Sequence, residues 1–196
     1  MKFLFDLGGV FFDWDPKYFY KSIFPSEKEM EFFLKYICNQ EWNIQQDAGR
    51  SFKDGEKELI VQFPKYTKEI QMYYPNHHKM IKGTFQNSID QLLELKFHNY
   101  LCYVLSNWSA ETFIEVKNDY SFLNKFDGLL ISGENKLVKP DKAIYKLAIS
   151  RFDLIPDKTV FIDDKIENIE AAKELNFKTI HIIDPKNIKE QINNFI

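Results

Sequence analysis

KFLFDLGGVFFDWDP, residues 2–16, starts as a short apolar strand and then breaks off at a lone acid. The run Phe3-Leu4-Phe5 ends at Asp6, followed by Leu7 and the pair Gly8-Gly9. Unbroken apolarity, rather than alternation, is what a strand needs when both faces of a parallel sheet are covered. Runs of the same kind recur at 100–105, 128–132, 159–163 and 179–183. Helical spacing fills the intervals. Residues 85–97 put Ile89, Leu92, Leu93 and Phe97 on one face, and 141–152 do so with Ile144, Leu147, Ala148 and Phe152. A third helix, 165–176, turns Ile166, Ile169, Ala172 and Leu175 inward. Strands alternating with helices predict an α/β fold, a doubly wound Rossmann-like parallel sheet of about five strands.

The segment 16–84 departs from that rhythm. Asp15-Pro16 is a helix start, amphipathic stretches run over 26–37, 51–63 and 65–73, and DAGRS (47–51) reads as a break between helices. No strand is expected there. The division that follows is an α/β core of residues 1–15 and 85–196 with an inserted all-helical cap, 16–84, after the first strand. Such an insertion lies over the carboxyl ends of the strands, where open α/β sheets bind ligands. It is a candidate lid.

Composition narrows the classes. The chain has 196 residues, 44% hydrophobic and 28% charged, as in an ordinary globular protein. A formal net charge of -3 argues against a nucleic-acid surface, which needs a concentrated basic patch, and no apolar run reaches the roughly 18 residues of a membrane span. Cys38 and Cys102 have no CxxC spacing and read as reduced thiols, so a cytoplasmic protein is expected, monomer or homodimer.

The polar groups fall at equivalent places. Asp6 ends the first strand, Ser106-Asn107 the second and Asp163-Asp164 the fourth, while Lys139 precedes the helix at 141. Parallel strands bring their carboxyl ends to one edge, so these residues should converge. Singly, each has an ordinary use: a turn, a solvated lysine, or a helix cap at Asp163 or Asp164. Together they suit phosphoryl transfer with a covalent step. Asp6 would attack phosphorus, Ser106 would hold a non-bridging oxygen, and Lys139 with Mg²⁺ would offset the negative charges.

In this order the motifs resemble the haloacid dehalogenase-like hydrolases. FDLGGV, LSN, VKPD and FIDDKIENIEAA are similar to that family's four motifs, matched by Asp6, Ser106, Lys139 and the pair Asp163-Asp164. Asn168, Ala171 and Ala172 fall at familiar offsets in the last. The insertion matches the family's helical-cap (C1) subfamily, with WNIQQDAGRSF (42–52) similar to a mid-cap stretch, and DLGGV resembles the form found in the bacterial α-glucose-1-phosphate phosphatase / epoxide hydrolase N-terminal-domain-like phosphatase group. The resemblance implies a phosphatase acting on a small phosphorylated metabolite, with Mg²⁺ held by Asp6, the backbone carbonyl of Gly8 and Asp164, and Asp163 assisting.

Gly8 stands where the family usually has an acid/base Asp, a group worth about 10²–10⁴ in rate. A water or cap residue would take its place, or the leaving group needs little protonation, or the site binds phosphate with little turnover. Dehalogenation needs no Mg²⁺ and usually lacks the acidic pair, and a mutase normally needs the missing acid, so both are disfavoured. Substrate contacts are expected from Asn107, Trp14, Trp42, Arg50 and Trp108: a ring to stack on a sugar, an Arg for a second anion. His77 and His78 receive no role.

Overall fold

The computed structural model describes residues Met1–Ile196. Seven strands occur: β1 (Lys2–Phe5), β2 (Phe12–Trp14), β3 (Ile81–Thr84), β4 (Leu101–Ser106), β5 (Gly128–Ile131), β6 (Thr159–Asp163) and β7 (Lys178–His181). Five form one sheet in the order β5-β4-β1-β6-β7, and every pairing in it is parallel. These are the five runs expected from sequence. Side chains alternate along each strand, so each strand feeds two cores. Phe3, Phe5, Cys102, Val104, Val160 and Ile162 enter one face, while Leu4, Tyr103, Leu105 and Phe161 enter the other.

Eleven α-helices complete the chain. Five lie between β2 and β3: α1 (Lys17–Tyr20), α2 (Glu27–Tyr36), α3 (Gln40–Asp47), α4 (Phe52–Gln62) and α5 (Thr67–Gln71). The rest are α6 (Gln86–Phe97), α7 (Ala110–Lys117), α8 (Ser132–Asn135), α9 (Lys142–Phe152), α10 (Ile166–Lys173) and α11 (Ile188–Asn193). α6 and α11 cover one face of the sheet through Leu92, Leu95, Ile188 and Ile192; α9 and α10 cover the other through Ile144, Tyr145, Ala148, Ile169 and Ala172. The helices between β2 and β3 bury a separate core, from Phe19 to Met80, centred on Tyr20, Phe33, Trp42 and Tyr73. Ser26, Asn39 and Ser51 cap α2, α3 and α4 by accepting backbone N–H bonds.

Three expectations change. β2 and β3 form an antiparallel pair at the root of the helical segment, so residues 81–84 are a strand within a stretch expected to have none. The two strands are short, form a two-stranded ribbon apart from the main sheet, and include Gly83, so neither carries an apolar run. α6 is turned from the expected face: Leu92 and Leu95 are buried, but Leu93 is exposed and Phe97 is 82% exposed. Ile166, the first residue of α10, is likewise exposed, because the helix begins at the open edge of the sheet.

Candidate active site

β1 lies at the centre of the sheet, with β4 and β6 on either side. Phe5 pairs in register with Val104 and with Ile162, so Asp6 and Asp163 follow at the same level and Ser106 comes one residue further along β4, all three at one edge of the sheet. The convergence follows from register and does not depend on loop conformation.

Asp6 is held by one of its oxygens. Oδ1 accepts the Leu7 N–H at 2.8 Å and the Ser106 hydroxyl at 2.7 Å, and lies 2.9 Å from Lys139 Nζ. Oδ2 has no protein donor, and Asp6 lines an open cavity. Lys139 is no surface lysine: it is 1% exposed, with Nζ also donating to Asp163 Oδ2 at 2.6 Å. Burial alone would lower its pKa, but the Asp163 and Asp6 carboxylates outweigh that and hold it above its usual value. It stays a cation. Asn107 clamps the Lys139 backbone in both directions, Nδ2 donating to its carbonyl (2.9 Å) and Oδ1 accepting its N–H (2.8 Å).

Asp163 is completely enclosed. Oδ1 accepts the Lys165 N–H at 2.8 Å, and Asn168 Nδ2 donates to both carboxylate oxygens. Lys165 occupies the N-cap of α10, so neither acid of the pair caps that helix. Asp164 differs from Asp163: its Oδ1 is buried without a hydrogen-bond partner. Oxygens of Asp6, Asp163 and Asp164 lie within 4.8 Å of one another. Gly9 makes this approach possible. Its φ is +68°, and a Cβ there would collide with the Asp164 carboxylate. Gly8 is unlike it: a Cβ at that position would meet nothing within 4 Å.

The cavity, about 410 Å³, is closed on the opposite side by the helical segment through Leu34, Cys38, Asn43, Ile44, Asp47 and His77. Of the expected substrate residues, Trp14, Asn107 and Trp108 line it. Trp42 and Arg50 do not. Trp42 is 4% exposed within the helical core, packed against Tyr73 and Tyr74, with its indole N–H donating to the Gly55 carbonyl. Arg50 is turned aside to Gln46 and Glu58. Trp42 belongs to α3, whose inward face sequence alone does not orient, and Arg50 lies in the break before α4, where no spacing rule sets its direction.

Two cavity residues were given no role in the sequence. His77 sits between the Trp14 and Trp108 rings, with centroids at 6.0 and 5.7 Å. Burial, with His78 nearby, lowers its pKa to about 4. Asp47 ends α3, and burial raises its pKa to about 7, Lys165 and a Ser109 hydrogen bond opposing and Asp6 adding to the rise. Asp164 is also raised to about 7, by burial and then by Asp6 and Asp163. No spacing rule marks His77 or Asp47, because their surroundings are assembled by tertiary packing.

These shifts predict a pH signature of the metal-free protein. Carboxyls in an unfolded chain titrate near 3.9. Asp47 and Asp164 therefore take up protons on folding between about 4 and 7, and their stabilising contribution is lost as pH rises through that window. His77 works in the opposite sense, since its pKa falls from 6.5 to about 4 and its contribution is lost as pH falls through that interval. Thermal midpoints of His77→Gln should decline more steeply than wild type as pH rises from about 4 to 6.5. Parallel profiles would contradict the assignment.

The comparisons agree with this geometry. The sesquiterpene phosphatase astK of Aspergillus oryzae is 24% identical over 181 residues, covering 92% of this chain and 89% of that protein. The D-ribitol-5-phosphate phosphatase of Bacteroides thetaiotaomicron is 32% identical over 99 residues, 46% of this chain and 47% of that one. A magnesium complex of a HAD family enzyme from the same bacterium superposes with a TM-score of 0.72 at 25% identity, covering 92% of each chain. The family profile described as haloacid dehalogenase-like hydrolase matches residues 4–182, and with its strand order and convergent strand ends the chain belongs to that family.

Proposed function

We propose that the protein is a Mg²⁺-dependent phosphatase that hydrolyses a small phosphorylated metabolite through an aspartyl phosphate on Asp6. The observation that carries this reading is the state of Asp6: Oδ1 is fixed by Leu7, Ser106 and Lys139, while Oδ2 has no protein partner beside an open cavity. A fixed carboxylate with one unengaged oxygen is pre-oriented for in-line attack.

The acidic group fits a hard divalent cation, since all its donors are oxygens and Asp164 Oδ1 is an orphaned buried acceptor. Asp6, Asp164 and the Gly8 carbonyl would hold Mg²⁺, with Asp163 behind them, and the ion would offset charge between nucleophile and phosphate. Ser106 is placed to release Asp6 and donate to a non-bridging oxygen. Lys139, fixed by Asn107 and Asp163, presents its ammonium to the same region. These roles keep Ser106 and Lys139 catalytic and make Asn107 a residue that positions Lys139.

The helical segment 16–84 acts as the cap over this site. Trp14 Nε1 and His77 Nδ1 are buried without partners on the cavity wall, near the Trp108 ring. Aromatic faces with unsatisfied polar groups suit a polyhydroxylated substrate, and a sugar phosphate is the class we assign. The second reading, a phosphometabolite-binding protein with weak turnover, is favoured by one feature only, the missing side chain at Gly8.

Hydrolysis of p-nitrophenyl phosphate separates the two. Turnover that requires Mg²⁺ and disappears in Asp6→Asn is expected. Metal-loaded wild type no faster than Asp6→Asn would refute the phosphatase reading.

A further inference from the structure

We propose that the Asp47 carboxyl, carried on the cap, is the general acid and then the general base of the reaction, replacing the group absent at position 8. This rests on the phosphatase reading above. Asp47 lines the same cavity as Asp6, Gly8, Asp164 and Asn107, but from the helical side. The space beside Gly8 is open, so nothing occupies the position from which a proton would ordinarily be delivered.

The other titratable groups of the cavity are unsuited. Asp6 is the nucleophile, Asp164 belongs to the acidic group that would hold the metal, Lys165 carries no carboxyl to serve as base, and Lys139 is locked between two carboxylates. Cys38 and Tyr73 are forced by burial well above their usual pKa values, so neither forms the anion a base requires. His77 is neutral near pH 7 and has no imidazolium proton to give. Asp47 can both hold and release a proton there. The cause is structural: it is partly buried, it is the last residue of α3, where the helix dipole disfavours an anion, and the Asp6 charge adds to the effect. Lys165 and a Ser109 hydrogen bond oppose this, and Asn43 Nδ2 donates to Oδ2 at 3.2 Å, orienting the group.

The core also fixes the segment that carries Asp47. Ser132, just beyond β5, donates its hydroxyl to the Asp47 carbonyl at 2.6 Å. Two residues later Gly49 has φ +90°, and a Cβ there would press on Lys136 and on the Gly133 carbonyl. The acid is therefore seated against the strand ends by the core itself.

The chemistry balances. Asp6 Oδ2 bonds to phosphorus as the ester P–O bond breaks, and the departing oxygen takes the Asp47 proton to leave as the alcohol. The Asp47 carboxylate then removes a proton from water as the water oxygen bonds to the same phosphorus. The P–O bond to Asp6 breaks, inorganic phosphate leaves, and Asp47 is protonated again.

The test uses wild type, Asp47→Asn, His77→Gln and the double variant Asp47→Asn/Gly8→Asp with Mg²⁺. Substrates are p-nitrophenyl phosphate, phenyl phosphate and glycerol 1-phosphate, whose leaving groups are increasingly basic. Asp47→Asn is expected to lose about 10²–10⁴-fold in kcat/KM on the alkyl ester and far less on the nitrophenyl ester. With the latter it should release a burst of nitrophenol and accumulate phosphorylated Asp6, visible by mass spectrometry. Gly8→Asp in the same chain should restore alkyl hydrolysis, which a misfolded Asp47→Asn could not show. A uniform loss on all three esters without a burst would overturn the proposal, as would an undiminished Asp47→Asn or the leaving-group signature appearing in His77→Gln instead. If wild type hydrolyses none of the esters, the phosphatase reading falls as well. Turnover that needs Asp6 but not Asp47 overturns this assignment alone.

Discussion

Asp6→Asn is expected to abolish turnover, with a loss of about 10⁴-fold or more, as removal of an attacking group does elsewhere. The fold should survive. The three donors on Oδ1 come from Leu7, Ser106 and Lys139, and an amide oxygen in that place still accepts from them. What disappears is the second carboxylate oxygen. The replacement also removes one of the two negative charges at Lys139, so binding of inorganic phosphate should be kept or strengthened while hydrolysis is lost. Phosphate titration of both proteins by calorimetry, alongside steady-state rates, checks both halves. A variant retaining a tenth of wild-type activity would rule out Asp6 as the phosphoryl acceptor.

Lys139→Met is expected to have the second largest effect, on stability as well as rate. The ammonium is fully enclosed and touches both Asp6 and Asp163. Removing one partner of a buried ion pair typically costs about 3–5 kcal/mol, because the carboxylates left behind stay desolvated. A long apolar side chain fills the volume, so the loss reports on charge more than on a cavity. The pH dependence has a defined sign. Without the cation, the folded-state pKa of Asp163, already raised by burial, rises further above the unfolded value, and folding then takes up protons. The deficit should be large at pH 8 and shrink as pH falls toward 5. Urea denaturation at both pH values measures it. Equal stability of variant and wild type at pH 8 would mean that the carboxylates do not need their counter-ion.

Much of this arrangement was legible in the sequence, for a physical reason. A strand buried on both faces must be apolar throughout, so β1, β4, β5, β6 and β7 are visible as runs, and whatever polar residue ends each run is delivered to one edge. That is how Asp6, Ser106 and Asp163 could be grouped from positions far apart in the chain. Helices give weaker information. The spacing in α6 is compatible with more than one inward face, and the packing against β4 and α11 chose Leu92 and Leu95 over Leu93 and Phe97. Trp42 and Arg50 were expected at the substrate for their chemistry, but Trp42 turns from α3 into the cap interior, and Arg50, in the break between α3 and α4, is drawn to Gln46 and Glu58. Asp47 and His77 were illegible for a different reason. Their chemistry comes from burial and from neighbours contributed by distant segments, which no local pattern encodes.

The antiparallel pair of β2 and β3 carries a consequence for how such a chain can be altered. The outgoing and returning tethers of the helical segment are hydrogen-bonded to each other, Phe12 opposite Thr84 and Asp13 opposite Gly83. The segment thus begins and ends at one spot on the molecule, like a circuit plugged in by a two-pin connector. Helices can be added, removed or exchanged between the pins without disturbing the order of strands beneath, since the sheet registers none of the intervening length. The outgoing tether starts three residues after Gly9, and the Gly9 N–H donates to the Phe12 carbonyl at 3.0 Å. A transplanted segment that preserves this ribbon inherits its alignment with Asp6; one that shears it by a single residue turns every side chain of the tether to the opposite face.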